Sequence, residues 1–262
     1  MLKLFDWSAK QYSKFEKERT LPCVDLVHGI HLQNPKTILD VGCGIGNSTA
    51  VLQNVYPNAE IIGADASEDM LERARKNCTG IQFVRLNFET EFKKWDQTYD
   101  VIFSNACIHW ISNHNQFIPD LFEKVNEGGV LAIQIPLQNK HPVYQWIDAM
   151  CDSKEWKDKI RNKKPYHTLK EEEYYDILSS LSNDFRIWQT NYYHVLDSHA
   201  SIIEWYKGSG FRPYLEQLSE EDQNCFLQQI YSFVKNTYKT QKDGKILFSM
   251  PRLFMLVKKI NS

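Results

Sequence analysis

The sequence lacks any apolar run approaching 18 residues, so it offers no segment of membrane-spanning length. Residues 1–14 are interrupted early by charge and hold no apolar stretch of secretory-signal length. Neither sign of charge is in excess: 31 basic and 33 acidic side chains leave a net charge of −2. That balance excludes the basic footprint of a general nucleic-acid binder, while leaving room for a local cluster around a small anion. No two of the six cysteines (Cys23, Cys43, Cys78, Cys107, Cys151, Cys225) lie within four positions of each other. Metal-ligand spacing is therefore missing, as are HExxH and EF-hand patterns, and no metal is expected. Scattered thiols in a 262-residue chain read as reduced, in a cytoplasmic protein. Internal repeats and a Pro/Gly/Ser-rich linker are also lacking.

What remains is a composition of 42% apolar and 24% charged residues, enough for one large α/β domain or a domain with an insertion. The first half alternates short apolar runs with helical patterns. Strands are predicted over 37–41, 60–65, 81–86, 99–104 and 130–136. Helices are predicted over 47–55, from Glu68 to about Asn77 behind an N-cap at Ser67, and from about Asn115 to Val125. Gly128-Gly129 reads as a break before the fifth strand. This alternation implies right-handed crossovers and a parallel sheet covered on both faces. From Gln138 to about Asn183 the pattern is helical and aromatic-rich. A long strand over 185–195, a helix over 198–208 and a capping box at Ser219-x-x-Asp222 follow. The apolar stretch 246–259 is broken at Pro251, which suits a bent or edge strand. The predicted organisation is an N-terminal helical segment or lid (1–30), a Rossmann-like core (31–136), a helical cap insertion (137–184), and a return to the sheet with further cap helices (185–262).

The strongest motif is Asp40-Val41-Gly42-Cys43-Gly44-Ile45-Gly46, where the first strand becomes the first crossover helix. Glycines there allow a tight turn and close approach of a ligand to backbone at a helix N-terminus. Asp65 ends the second strand, 19 positions after Gly46, where a carboxylate can accept hydrogen bonds from ribose hydroxyls. The dinucleotide fingerprint is GxGxxG. Here the glycines run GxGxG, the next fingerprint position is Asn47, and an acidic residue precedes the loop. This combination resembles motif I of class I S-adenosylmethionine methyltransferases and speaks against a nicotinamide oxidoreductase.

The resemblance implies an α/β fold with a mostly parallel seven-stranded sheet, and S-adenosylmethionine as cofactor. It also implies cofactor roles for Asp40, Gly42, Gly44, Gly46 and Asp65, for Ala66 and Met70 in the adenosine turn, for Asn87 and Phe88 at the adenine edge, and for Asn105 and Ala106 after the fourth strand. Asn87 departs from the Asp common in that superfamily, which changes the polarity of that contact. Further stretches resemble trans-aconitate 2-methyltransferases: NACIHW (105–110), YYDIL (174–178), IWQTNYYH (187–194), IIEW (202–205), GFRP (210–213), PRLF (251–254), and Asp6-Trp7-Ser8 with Tyr12 and Phe15.

Membership of that family implies methyl transfer to a carboxylate. No catalytic base is expected, because a carboxylate is already ionised at neutral pH. A polycarboxylate needs cations, and the forked guanidinium suits it. Arg212 and Arg252 are the candidate ligands, each with the alternative of an ordinary ion pair. Tyr12, Tyr192, Tyr193, Trp205 and His109 are candidate pocket residues, and Arg19 a candidate for the cofactor carboxylate. Tyr192 and Tyr193 face opposite sides of one strand, so at most one is expected to reach the site. His109 beside Trp110 is equally readable as a packed pair. The basic run 157–164 reads as a solvated helix face, and Tyr231-x-x-x-Lys235 is set aside as misplaced for a dehydrogenase dyad. Another small acid or a malonyl-type thioester as substrate, and a non-catalytic cofactor-binding module, stay open as alternatives. The expected partner is a small anionic carboxylate, with no nucleic acid or membrane, and the chain is expected to be a monomer.

Overall fold

The computed structural model describes residues 16–162, 166–207 and 210–260. The first half of the expected lid, residues 1–15 with Tyr12 included, lies outside the described residues. The first described helix is α1 (Glu16–Gly29), followed by β1 (Thr37–Val41), α2 (Asn47–Val55), β2 (Glu60–Asp65), α3 (Glu68–Asn77), β3 (Gln82–Arg85), β4 (Tyr99–Asn105), α4 (His114–Glu123) and β5 (Val125–Pro136). Then come α5 (Pro142–Cys151), α6 (Glu171–Leu181), β6 (Phe185–Leu196), α7 (His199–Lys207), the short α8 (Arg212–Leu215), α9 (Glu220–Thr237) and β7 (Ile246–Lys258).

The strands form one seven-stranded sheet in the order β3-β2-β1-β4-β5-β7-β6. β1 pairs in parallel with β2 and β4, β2 with β3, and β4 with β5, while β7 returns antiparallel to β5. The chain winds outward from β1 to β3 and then starts again at β4 on the other side of β1. That reversal opens a crevice past the carboxyl ends of β1 and β4, the place where open α/β sheets bind ligands. Ile38, Leu39 and Val41 of β1 and Val101, Ile102 and Phe103 of β4 are fully buried. Both faces of these strands are covered, so their sequences read as continuous apolar runs.

Three sequence expectations change. Gly128-Gly129 is not a break: β5 runs through it from Val125, with Gly128 at φ +78° and a register shift opposite Tyr99 and Val101. Two steps on β4, from Tyr99 to Val101, face five on β5, from Val125 to Val130, and the extra residues are absorbed as an irregularity within the strand instead of ending it. Pro251 is not on an edge strand, because β7 lies between β5 and β6; it stands just before the β5 pairing starts at Arg252. The stretch 138–183 is not continuously helical, for the described residues between α5 and α6, 152–162 and 166–170, form turns and irregular chain. By compactness the chain divides into two units. One compact unit holds 20–136, 166–190 and 252–262; the other holds 1–19, 137–165 and 191–251.

In the second unit the packing is aromatic. His141 lies with Nδ1 2.7 Å from the Tyr206 hydroxyl and donates through Nε2 to the Ser249 carbonyl at 3.0 Å. Tyr206 stacks on Phe211 at 4.9 Å, and Tyr144 presses on Gly210 so closely that no Cβ would fit. The GFRP stretch is thus a packing turn. In the first unit Trp188 stacks on Phe254 at 4.9 Å and closes on Gly29, so IWQ and RLF meet as core. No helix among the described residues is long and apolar enough to cross a membrane.

Candidate active site

The loop after β1 is held by backbone. Gly42 N–H and Cys43 N–H both donate to the Ala64 carbonyl of β2, at 2.8 and 3.0 Å. Gly42 has φ +73°, and a Cβ there would overlap the Cys107 side chain. Gly44 has φ +55° with nothing within 4 Å of a Cβ position, so open space lies over the loop. Gly46, at φ +91°, is the N-cap of α2. The loop therefore offers backbone and a helix N-terminus to a ligand.

Two carboxylates brace it. Asp65 accepts from Gly44 N–H through Oδ2 and from Ser67 N–H through Oδ1, both at 2.9 Å. Each oxygen keeps a second lone pair, so Asp65 is oriented and still able to accept from a diol. Asp40 is fully buried below the loop. Its Oδ2 accepts from the Ser48 and Thr49 hydroxyls, both at 2.7 Å, and Oδ1 has no protein partner. Burial raises its pKa to about 6; the two hydroxyls oppose that and nearby Asp65 adds to it. Asp40 thus fixes the start of α2 from beneath and puts negative charge under the loop. Both anions favour a ligand carrying positive charge.

Directly after Asp65, Ala66 is exposed and Met70 half-buried, with its N–H on the Ser67 hydroxyl at 3.4 Å. The Asn87 Oδ1 accepts from Glu89 N–H at 3.0 Å, which shapes the turn after β3. Phe88 is buried against Phe92 and Phe117, so its ring serves the core.

At the end of β4 the Ser104 hydroxyl donates to the Val41 carbonyl at 3.2 Å. Asn105 Oδ1 is buried with no protein partner. Ala106 takes φ +52°, a left-handed conformation that costs a non-glycine residue about 1–3 kcal/mol and clusters at functional sites. Its N–H on the Gln134 carbonyl, at 2.9 Å, holds it there. The turn Ile108–Trp110 follows. His109 is buried between Trp110 and Tyr166, with ring centroids 5.1 and 5.7 Å away. Burial, with Arg252 and then His114 adding to it, lowers its pKa to about 3, so the ring is neutral at physiological pH.

His114 fixes this turn. Its Nε2 lies 2.7 Å from the Ile108 carbonyl, which can only accept, so Nε2 carries the proton and Nδ1 accepts from the Tyr174 hydroxyl at 2.7 Å. Tyr174 in turn accepts from Leu169 N–H at 3.3 Å. Sequence reasoning took YYDIL only as a family likeness. Its first tyrosine positions the His109 turn, and no local pattern tied it to His114 sixty residues away.

Gln134 was missed altogether. It is fully buried on β5, and neither its Oε1 nor its Nε2 has a protein partner. Its register partners are Asn105 on β4 and Phe254 on β7, and Arg252 pairs with Pro136 two residues on. A glutamine inside the apolar run VLAIQIP was the available signal.

The remaining candidates belong to the other compact unit. Tyr192 is half-buried on the β6 face that carries His194 and Leu196, whereas Tyr193 is 60% exposed on the opposite face. Trp205 is buried, stacked on His194 at 4.7 Å. Arg212 is exposed and paired through Nε to Glu216 at 2.6 Å. Arg19 falls in α1.

The methyltransferase-domain family matches residues 32–198. Trans-aconitate 2-methyltransferase of Escherichia coli is 36% identical over 257 residues, covering 97% of this chain and 99% of that protein. Among solved structures, phosphoethanolamine N-methyltransferase 2 of Haemonchus contortus, bound to phosphomonomethylethanolamine and S-adenosylhomocysteine, matches at TM-score 0.57 and 14% identity, over 91% of this chain and 52% of that one. The YcgJ protein of Bacillus subtilis matches at TM-score 0.56 and 13% identity, over 92% and 100%. At such identities these two show the shared fold.

Proposed function

The chain belongs to the S-adenosylmethionine-dependent methyltransferase family, and from that premise we propose that it transfers a methyl group to a carboxylate of trans-aconitate or a close polycarboxylate. The products are the monomethyl ester and S-adenosylhomocysteine. The observation that carries the substrate class is a near full-length match to trans-aconitate 2-methyltransferases.

The described residues fit the cofactor. The open space over Gly44, the spare lone pairs of Asp65 and the buried negative charge of Asp40 suit a nucleoside with a cationic tail. Asp65 would take the ribose, the Gly42–Gly46 backbone the methionyl end, and the turns at Ala66-Met70 and Asn87 the adenine. Asn105, with Ala106 strained beside it, borders the methionyl end, and Arg19 is a further candidate there. When bound, the cofactor supplies an electrophilic sulfonium methyl.

The chain's own work is to hold an already ionised acid in line and keep water out. Alignment of this kind can contribute up to roughly 7–11 kcal/mol, and a water-poor site with fixed dipoles favours the cancelling of opposite charges. No proton has to move, so no residue is assigned as a base. Arg252 is the cation assigned to a carboxylate, and His109, neutral and buried, to a pocket wall. Tyr192 is the member of its pair with a packed face. Arg212 is committed to Glu216 and receives no role. The protein is further proposed to act as a cytoplasmic monomer without nucleic-acid or membrane partners.

The test is S-adenosylhomocysteine release across tri- and dicarboxylates. Turnover on trans-aconitate well above the other acids is expected. Turnover on a different acid would keep the chemistry and move the substrate, and silence on every acid would overturn the proposal.

A further inference from the structure

We infer that Gln134 orients the acid substrate: from the carboxyl end of β5 its amide Nε2 donates a hydrogen bond to a substrate carboxylate, and so helps set which acid is taken. This rests on the reading of the chain as a carboxylate methyltransferase.

The first argument is energetic. A buried amide without partners is left with the full cost of losing its water, and native interiors rarely leave both ends of one unsatisfied. Gln134 is fully buried and does so with both. Methionine has nearly its length, would fill the same space and would lose no hydrogen bonds. A glutamine kept there points to a partner that comes from outside the protein.

Position says which partner. Register partners share a face of a sheet, as do residues two apart on a strand. The pairs Asn105↔Gln134 and Pro136↔Arg252 therefore set Asn105, Gln134 and Arg252 on one face. β5 packs against the turn that carries His109. The glycine loop follows β1 and Asp65 ends β2, both on one side of β4; β5 and β7 lie on the other. A cofactor laid over β1 and β2 leaves the β5 side for the methyl acceptor.

Chemistry narrows the partner to an anion. Beside Arg252, the amide supplies a donor without a second charge. A carboxylate held this way keeps more of its nucleophilicity than one locked between two cations. His109, uncharged, adds no competing ion pair.

The experiment compares wild type with Gln134→Met and Gln134→Glu, measuring KM for the acid that wild type turns over, S-adenosylhomocysteine affinity and Tm. For Gln134→Met we expect KM to rise at least tenfold, cofactor affinity to stay within twofold, and Tm to be unchanged or higher. Gln134→Glu sets carboxylate against carboxylate and should raise KM further. Unchanged KM in a folded Gln134→Met protein would overturn the inference, and so would a lowered Tm with loss of cofactor affinity, which marks a structural or cofactor role. Both results need an active wild type. A wild type silent on every acid would bring down the underlying reading instead, so the two failures are separable.

Discussion

The two sides of β4 are built by different means. On the β1–β2 side the site is backbone: three glycines at positive φ, two N–H groups on one carbonyl, and a carboxylate that already accepts from two more N–H groups. On the β5–β7 side it is side chains: Asn105 Oδ1, the Gln134 amide and His109 Nδ1 are buried without protein partners. Backbone sites need particular residues at fixed short spacing, because only glycine takes those angles at little cost. Side-chain sites need only that distant strands bring the right groups to one face. On the proposed function, the first kind serves the cofactor and the second the acid.

The sharpest way to break the backbone side is Gly42→Ala. The new Cβ would take a left-handed φ and collide with Cys107, costing about 2–5 kcal/mol of stability from strain and overpacking together. Denaturant midpoints should show it, and Cys107→Gly in the same chain, which removes both the Sγ and the Cβ that the new methyl meets, should recover the overpacking part when measured against Cys107→Gly alone. No recovery would mean that the close approach is not what demands glycine.

Asp40→Asn probes the charge beneath the loop. With a folded pKa of about 6 against 3.8 unfolded, the folded state binds the proton more tightly. Asp40 therefore contributes stability that is full below about pH 4 and is lost as pH rises through about 6, an amount of about 3 kcal/mol. In Asp40→Asn this slope should flatten while the Ser48 and Thr49 hydroxyls still donate. Equal slopes in the two proteins would show that the carboxylate is charged at lower pH than its burial suggests. Asp65→Ala should follow, weakening cofactor binding by about 1–3 kcal/mol and leaving the acid's KM at saturating cofactor unchanged. Calorimetric titration with S-adenosylhomocysteine would check it.

This contrast also explains what the sequence could tell. Asp40, the GxGxG spacing and Asp65 were legible because they lie within 26 positions and each answers a local demand: a turn, a helix start, a strand end. The sheet was legible from alternating runs, apart from Gly128, whose positive φ serves a bulge as well as it serves a break. Tyr192 and Tyr193 were separable only by burial, since alternation says that they differ and not which one is inside. Gln134 was hidden by its own surroundings. In VLAIQIP one polar residue scans as noise, and its meaning lies in registers with β4 and β7 that no local pattern records. Tyr174 was hidden likewise, its partner His114 being on another helix.

The smallest expected effect sharpens the acid side by setting its two arginines apart. Both stand beside a proline in stretches resembling one family, and by residue type alone they are equal candidates for a carboxylate. Arg212 makes an i,i+4 pair on α8 with both side chains more than 60% exposed. Such pairs contribute about 0.3–0.5 kcal/mol, so Arg212→Ala should shift stability by no more than that and leave KM for the acid within twofold. Arg252 begins the β7 pairing opposite Pro136, two residues from Gln134's partner, and lies close enough to His109 to act on its charge. Arg252→Ala should raise KM for the acid at least tenfold with cofactor affinity unchanged. If the two variants raised KM equally, exposure would be no guide to which guanidinium meets the substrate.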